Sequence, residues 1–338
     1  MNKQVNIGVV GCGYWGPNLV RNFYGNKKFQ IVKIADSRQE RLDTVKRNYP
    51  QVETTLYPDD IINDSLIDAV AIATPVFTHF KFAKASLVQG KHVLLEKPMT
   101  SASHEAEELI ELAEKRKLSL MVDHTFLYTA AVQKMKQLID DDMIGKVKYL
   151  DSTRINLGLF QPDINVLWDL APHDISILTH LISEKPYSLN ATGVSHTNNG
   201  MENIAFLTIN FESGLIAHFN CSWASPVKIR LMLIGGDKKM VVFNDLEPTE
   251  KIKIYDTGYT VKTDEEKRRL LVDYRTGDIF IPKTPSTEAL ALMAEDFAQS
   301  ILNNKQPVSD FNSGLSVIKI LEASNESIKN KGKEVIIK

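Results

Sequence analysis

A glycine-rich turn close to the N-terminus constrains the fold of this chain more than any other feature. The apolar run Val5–Val10 leads directly into Gly11-Cys12-Gly13-Tyr14-Trp15-Gly16, and Pro17 then opens a helical segment. In such a turn the first glycine permits a tight bend, the second lets the backbone approach a pyrophosphate, and the third allows close helix–strand packing. The helix N-terminus also offers free N–H groups to phosphates. The pattern predicts a dinucleotide-binding βαβ unit, and a tight turn that binds nothing is the alternative.

Short apolar runs alternate with amphipathic segments through about the first 120 residues, as in a parallel sheet covered by helices on both faces. Beyond His124 the pattern changes and predicts an antiparallel sheet with accompanying helices. The sequence therefore predicts an α/β chain, with an N-terminal Rossmann domain over residues 1–123 and a C-terminal α+β domain over residues 124–338. The last helix is a candidate to pack back on the first domain. Strands are predicted at 5–10, 30–35, 69–73, 92–95, 119–122, 146–156, 204–211 and 215–223, and helices at 17–24, 77–89, 103–116, 132–139, 170–181, 287–303 and 315–328.

Charge and cysteine content exclude several classes of protein. Lys and Arg total 40 while Asp and Glu total 42, so the net charge of -2 provides no basic field for nucleic acid. No stretch approaches the roughly 20 apolar residues that cross a bilayer, and the N-terminus carries no signal-peptide core. Two cysteines, Cys12 and Cys221, are too few for a disulfide framework. We expect a soluble, cytoplasmic protein without nucleic-acid or membrane partners.

Asp36 ends the second predicted strand, about 20 residues after the glycine turn, where an acid commonly contacts ribose. A carboxylate there accepts hydrogen bonds from both hydroxyl groups of the adenosine ribose. It also repels a 2′-phosphate, which favours NAD over NADP. Ser37 and Arg38 follow directly and together are able to hold a phosphate, so NADP remains the alternative. A simple turn residue after a strand is the other interpretation of Asp36.

The tripeptide Glu96-Lys97-Pro98 follows the strand predicted at 92–95. Ligands of open α/β sheets lie outside the carboxyl ends of the strands, so Lys97 is expected near a bound nicotinamide. An ammonium group there can hydrogen-bond a reacting oxygen and stabilise alkoxide character. A lysine on the surface is an equally good interpretation of the position alone.

Asp169 and His173 form a second pair of candidate catalytic residues. They are four residues apart and share one face if this segment is helical, with Pro172 indicating the first turn of that helix. An imidazole can accept the proton of an alcohol, and a carboxylate can orient the ring and support its cationic form. A helix-start acid beside a structural histidine is the alternative. No zinc-type spacing of Cys and His is present, and we predict no metal.

Together these motifs resemble the Gfo/Idh/MocA oxidoreductases over essentially the whole chain. The resemblance rests on the glycine turn, Thr74-Pro75 with His79, Glu96-Lys97-Pro98, and Asp169-x-x-x-His173. It implies a Rossmann domain followed by a domain built on a large open sheet, with Lys97 catalytic, His173 the acid/base and Asp169 orienting it. The cofactor-binding residues it implies, together with those derived above, are Gly11, Gly13, Tyr14, Trp15, Gly16, Asp36, Ser37, Arg38, Thr74, Pro75, His79, Glu96 and Lys97.

Residues flanking these motifs are similar to those of family members from bacterial surface-polysaccharide clusters. That similarity rests on 13–19, 166–174 and Ser222-Trp223, and it implies hydride transfer from C3 of a nucleotide sugar of the UDP-N-acetylhexosamine type. A dehydrogenase of a free sugar or inositol, an NAD-dependent glycosidase and a non-catalytic dinucleotide-binding regulator are the alternatives. The candidate substrate contacts, each equally compatible with a sheet-surface role, are Arg154, Asn156, Lys228 and Arg230.

Two expectations concern the assembled protein. The amine of Lys97 and the imidazole of His173 are expected to converge over the reactive face of the nicotinamide ring. A homo-oligomer, dimer or tetramer, is expected because self-association often covers the edges of broad sheets. The expected partner is otherwise a small-molecule sugar or nucleotide sugar.

Overall fold

The chain divides into two compact units in the computed structural model. The first unit comprises residues 1–129 and 287–319, and the second comprises residues 130–286 and 320–338. The sequence-based domains, 1–123 and 124–338, remain a prediction; the compact units differ from them because 287–319 belongs with the first unit. The structure describes residues 4–337 apart from Leu159, Pro162, Asn198, Asn199 and residues 261–272, and it describes only the backbone of 258–260, 273 and 274.

Helices and strands alternate in the first part of the chain, and strands predominate in the second. The helices are α1 Gly16–Gly25, α2 Gln39–Asn48, α3 Asp59–Ile62, α4 His79–Val88, α5 Ser103–Arg116, α6 Ala130–Asp140, α7 Val166–Leu181, α8 Ala289–Asn303 and α9 Phe311–Lys329. The strands are β1 Val5–Val10, β2 Phe29–Ala35, β3 Glu53–Thr55, β4 Ala69–Ile72, β5 His92–Glu96, β6 Leu120–Asp123, β7 Val147–Leu157, β8 Ser188–Val194, β9 Ile204–Asn210, β10 Ile216–Ser222, β11 Ala224–Gly236, β12 Met240–Asn244, β13 Ile252–Tyr255, β14 Gly258–Thr260, β15 Asp273–Arg275, β16 Ile279–Phe280 and β17 Val335–Ile336.

The first unit is built on a six-stranded sheet in the order β3-β2-β1-β4-β5-β6, with every pair parallel. The strand order reverses between β1 and β4, which is the arrangement of a Rossmann fold. Its central strands are continuous apolar runs because helices cover both faces, and all four residues of β4 are buried. Helix α8 also packs here, since Phe297 lies against Phe23 of α1 and Phe29 of β2.

The second unit is built on a nine-stranded sheet in the order β16-β13-β12-β11-β7-β10-β9-β8-β17. Only the β7–β10 pair is parallel, so the sheet is mixed and mostly antiparallel. The strands predicted at 204–211 and 215–223 are present as the antiparallel β9–β10 pair. The predicted fold class, a Rossmann domain followed by a large and mostly antiparallel sheet, is confirmed.

Three local features differ from the sequence-based prediction. Helix α2, strand β3 and the short helix α3 occupy a region in which no element was predicted. Helix α7 begins at Val166 and contains Pro172 in its interior, so Pro172 does not mark the first turn. Within the described residues, no helix is both long and apolar enough to cross a membrane.

Candidate active site

The glycine loop, residues 11–16, connects β1 to α1 and contains two glycines that the protein itself requires. Gly11 has φ +99°, and a Cβ atom there would lie 2.5 Å from the carbonyl oxygen of Ala73. A Cβ atom on Gly16 would lie 2.1 Å from the carbonyl oxygen of Gly11. A Cβ atom on Gly13 would meet its nearest neighbour, Arg41 Nη1, at an ordinary 3.5 Å. Because the fold does not require Gly13, its bare backbone fits the close approach of a pyrophosphate.

Asp36 lies at the end of β2 and contacts the glycine loop directly. Its Oδ2 atom accepts a hydrogen bond from the backbone N–H of Cys12 at 2.7 Å, and its Oδ1 atom accepts one from the N–H of Arg38 at 3.0 Å. Arg41, which the sequence analysis did not single out, lies 3.2 Å from Oδ2. The carboxylate is only 5% exposed, while Ser37 and Arg38 are exposed.

Cys12 behaves as a packing residue. Its side chain is buried, and burial raises the pKa of its thiol to about 12, with the charge of Asp36 adding to the effect. Tyr14, two residues further along the loop, is 91% exposed. Cys12 therefore provides no reactive thiolate in this loop.

His79 connects the loop after β4 to the turn after β5. Its Nε2 atom lies 2.8 Å from the carbonyl oxygen of Thr74, and its Nδ1 atom lies 3.0 Å from that of Pro98. The ring is buried, and burial lowers its pKa. His79 therefore fixes the backbone around Thr74 and Pro98, while Pro75 is exposed beside them.

A group of polar residues, called here the strand-end cluster, lies at the carboxyl ends of β5 and β6. It consists of Glu96, Lys97, Asp123 and His124, and Trp15 of the glycine loop joins it. The backbone N–H of Lys97 donates to Glu96 Oε2 at 3.1 Å, and the indole N–H of Trp15 donates to Asp123 Oδ2 at 3.1 Å. The Lys97–Pro98 peptide bond is cis. This is the edge of the sheet where ligands of doubly wound folds bind.

Two members of the strand-end cluster have strongly shifted pKa values. Burial, reinforced by the charge and hydrogen bond of Asp123, raises the pKa of Glu96 well above its usual range. Burial, reinforced by the charge of Lys97, lowers the pKa of His124 to about 3. Such shifts concentrate at functional sites, which supports a chemical role for this edge of the sheet.

The second unit carries the other predicted catalytic pair on helix α7. Asn165 caps this helix by accepting the N–H of Trp168 at 3.2 Å, which fixes where the helix begins. Asp169 and His173 are half-buried and lie one turn apart on the helix. Asp169 Oδ2 accepts a hydrogen bond from the indole N–H of Trp223 at 2.9 Å, so the carboxylate has a fixed orientation.

The four predicted substrate contacts have different surroundings. Arg154 is 4% exposed and forms two hydrogen bonds to Asp174, of 2.8 and 2.7 Å, so its guanidinium already has a structural partner. Arg230 is half-buried and pairs with Asp245 at 3.1 Å. Asn156 is half-buried and Lys228 is exposed. The role of all four as substrate contacts remains a prediction.

Each unit brings together part of the predicted site. The glycine loop, Asp36, Thr74, His79, Glu96 and Lys97 lie together in the first unit, while Asp169 and His173 lie together in the second. Sequence reasoning missed Asp123, the last residue of β6, and His124, which follows β6 as Lys97 follows β5. It also missed Arg41, because helix α2 was not predicted. No group of three or more His, Cys, Asp or Glu is arranged around a metal position in the described parts of the chain.

Comparison with known proteins identifies the class of this chain. Residues 5–124 match the oxidoreductase family with an NAD-binding Rossmann fold, Gfo/Idh/MocA, and residues 132–242 match the C-terminal domain of that family. The chain therefore belongs to the Gfo/Idh/MocA family and is an oxidoreductase, as its motifs predicted.

Individual relatives span nearly the whole chain. The UDP-N-acetylglucosamine 3-dehydrogenase of Acidithiobacillus ferrooxidans is 28% identical over 93% of this chain and 94% of its own length. Its solved structure superposes with a TM-score of 0.79 at 25% identity, over 97% of this chain and 98% of that one. The scyllo-inositol 2-dehydrogenase (NADP(+)) of Bacillus subtilis is 24% identical over 97% of this chain and 94% of its own length.

Proposed function

We propose that this protein is an NAD-dependent dehydrogenase that oxidises a sugar hydroxyl group, at C3 of a nucleotide sugar of the UDP-N-acetylhexosamine type. The observation that carries the proposal is the strand-end cluster, which presents Lys97 at the edge of a Rossmann sheet where a dinucleotide binds. Similarity to a UDP-N-acetylglucosamine 3-dehydrogenase over most of both chains supports the substrate class. The cytoplasmic location and the role in polysaccharide synthesis expected from the sequence belong to the same proposal.

Each residue of the proposed site has its own role in alcohol oxidation. Lys97 donates a hydrogen bond to the reacting oxygen and stabilises its developing negative charge. His173 accepts the hydroxyl proton, and Asp169, held by Trp223, keeps the imidazole oriented. A bound nicotinamide would supply the hydride acceptor. The glycine loop and Asp36 would hold the diphosphate and adenosine ribose of that cofactor.

The first prediction tests Lys97 and His173 directly. Lys97→Ala and His173→Ala are each expected to lower turnover of the true substrate by about 100-fold or more, because each removes a group acting on the transferred proton or the charged oxygen. Turnover is followed by NADH absorbance with UDP-sugars, free sugars and inositols. Lys115→Ala and His104→Ala, at exposed positions of α5, are matched controls expected to retain full activity.

The same assay separates the alternatives. Turnover only of free sugars or inositols would replace the nucleotide-sugar assignment, and release of a sugar without net NADH would indicate a glycosidase. Dinucleotide binding without any turnover would indicate a regulator. Wild-type turnover by both variants would reject the catalytic assignment.

The second prediction concerns the binding preference for NAD over NADP. The buried Asp36 carboxylate opposes a 2′-phosphate by like-charge repulsion, whereas Arg41 partly offsets that charge. Asp36→Asn retains an acceptor for the Cys12 N–H but removes the charge. It is expected to lower the ratio of the NADPH to NADH dissociation constants by about tenfold, or about 1.4 kcal/mol. Fluorescence titration measures both constants.

Arg41→Ala is the opposing variant for the same measurement. Removing its positive charge leaves the Asp36 carboxylate less compensated, so the ratio should rise. A wild-type protein that prefers NADPH, or an Asp36→Asn variant with an unchanged ratio, would contradict the assignment of NAD.

A further inference from the structure

Glu96 and Asp123 form a pair of carboxyl groups that is held together by the sheet itself. The two residues are direct neighbours in the parallel register of β5 and β6, so their side chains leave the same face of the sheet. Asp123 is 2% exposed, and Glu96 Oε1 is also buried. The charge of Asp123 opposes ionisation of its buried neighbour Glu96. Two carboxyl groups held side by side away from water do not both ionise readily, so one of them holds a proton.

The surrounding donors indicate which of the two is protonated. Asp123 accepts hydrogen bonds from the indole N–H of Trp15 at Oδ2 and from the hydroxyl of Thr125 at Oδ1, so both of its oxygens already serve as acceptors. Glu96 accepts only the backbone N–H of Lys97 at Oε2, while its Oε1 atom has no other partner among the described residues. The proton therefore belongs on Glu96, which agrees with its raised pKa.

Few other charged groups face this pair within the first unit. The Lys97 ammonium group favours ionisation of Glu96, and the neighbouring His124 is neutral at physiological pH because its pKa is about 3. The Tyr128 hydroxyl, close to Asp123, donates to the carboxylate of Asp296 at 2.8 Å. Trp15 links the pair to the glycine loop. A positive charge added at this edge of the sheet would therefore act on the proton of Glu96.

We propose that Glu96 is a neutral acid in the free protein and releases its proton to solvent when an oxidised, positively charged nicotinamide dinucleotide binds. The reduced dinucleotide, whose ring is neutral, leaves the proton in place. Glu96 thereby becomes the counter-charge of the oxidised ring, held in position by the pairing of β5 with β6, and dinucleotide affinity depends on pH only for the oxidised form. This proposal rests on the proposed function, because it requires a nicotinamide ring at the ends of β5 and β6.

Titration calorimetry tests the proposal without any turnover. NAD⁺ and NADH are each titrated into the whole protein near pH 7, in buffers of different ionisation enthalpy, so that the slope counts the protons released. The oxidised and reduced forms share the same diphosphate, so its contribution cancels in the comparison. We expect about one proton more to be released with NAD⁺ than with NADH.

Variants identify the source of the proton. Glu96→Gln preserves the size of the side chain but does not titrate, so the NAD⁺–NADH difference should disappear. Asp123→Asn lets Glu96 ionise in the free protein and should reduce the difference, which provides a second measurement if Glu96→Gln folds poorly. Glu111→Gln, at an exposed position of α5, is the matched control and should retain the difference.

The outcomes distinguish this proposal from the proposed function. A protein that binds neither NAD(H) nor NADP(H) contradicts both. Equal proton release with NAD⁺ and NADH, or a full difference in Glu96→Gln, overturns only the role of Glu96. If Lys97→Met abolishes the difference in proton release and Glu96→Gln retains it, the proton comes from Lys97. That result likewise overturns the role of Glu96.

Discussion

His124 illustrates at the scale of one residue how the strand-end cluster is built. Its side chain is 1% exposed, and neither ring nitrogen has a hydrogen-bond partner among the described residues. A buried polar group without a partner costs about 1–3 kcal/mol, so the fold retains this residue at an expense in stability. Nothing in the sequence around His124 indicates this, because burial and the nearby charge of Lys97 arise only in the folded chain.

The pKa of His124 leads to a prediction about acid stability. Because the folded pKa is about 3 and the unfolded value about 6.5, the unfolded chain takes up the proton first as pH falls. His124 should therefore cost about 2 kcal/mol of unfolding free energy between pH 7 and pH 5. Denaturant titrations of the wild type and of His124→Asn at both pH values measure this loss, which the variant should lack.

A matched variant and the opposite effect of Glu96 bear on that measurement. His104→Asn, at an exposed position, should show the same pH dependence as the wild type. The raised pKa of Glu96 acts in the opposite direction, since the stabilisation it contributes at acid pH is lost as pH rises through its folded pKa. Only the difference between wild type and His124→Asn isolates His124, and identical pH dependence in both would contradict the prediction.

At the scale of elements, the sequence predicts the helices and strands whose pattern of apolar residues follows from their own burial. Strands β1, β4 and β5 are mostly apolar because both of their faces are covered, and they were predicted within a residue or two. Helix α2 was missed because only Leu42 and Val45 are buried among ten mostly polar residues. A helix that buries so little has no clear apolar periodicity.

Helix α7 shows what tertiary pairing adds to an element. The predicted segment began at Leu170, but the Asn165 cap extends the helix to Val166. A buried ion pair between Arg154 of β7 and Asp174 ties the helix to the sheet, one residue away from His173. Removing one partner of such a pair typically costs about 3–5 kcal/mol. The sequence alone cannot show that Arg154, a predicted substrate contact, is bound by a residue 20 positions away.

At the scale of the whole molecule, the motifs predict the fold class and family, and the chemistry is predicted less completely. Glu96 and Lys97 were singled out by their position after a strand, whereas Asp123 acquires its role through the register of β5 and β6. The prediction that Lys97 and His173 act on one hydroxyl group remains a prediction. The proposed substrate contacts include side chains such as Arg230 and Lys228, whose sequence pattern is that of any sheet surface.

One face of the nine-stranded sheet carries exposed apolar side chains among its polar ones. Tyr149, Phe206 and Ile216 are about two-fifths exposed, and Ile216 is the direct neighbour of Tyr149 across β10 and β7. Phe206 stacks on His218, which pairs with Asp151. A face carrying apolar residues together with a His–Asp pair can match a second copy of itself about a twofold axis. We therefore propose that the partner covering this face is another molecule of the same chain.

Self-association through this face is the final prediction. Ile216→Asp places a charge among apolar side chains, where burial of an unpaired carboxylate would oppose association, so the variant should shift toward a smaller species. Light scattering after gel filtration measures the mass of each variant. Leu66→Asp, at an exposed apolar position of the first unit, introduces the same charge elsewhere and should leave the mass unchanged. A wild-type protein with the mass of one chain, or an Ile216→Asp variant that associates as the wild type does, would reject this face as the interface.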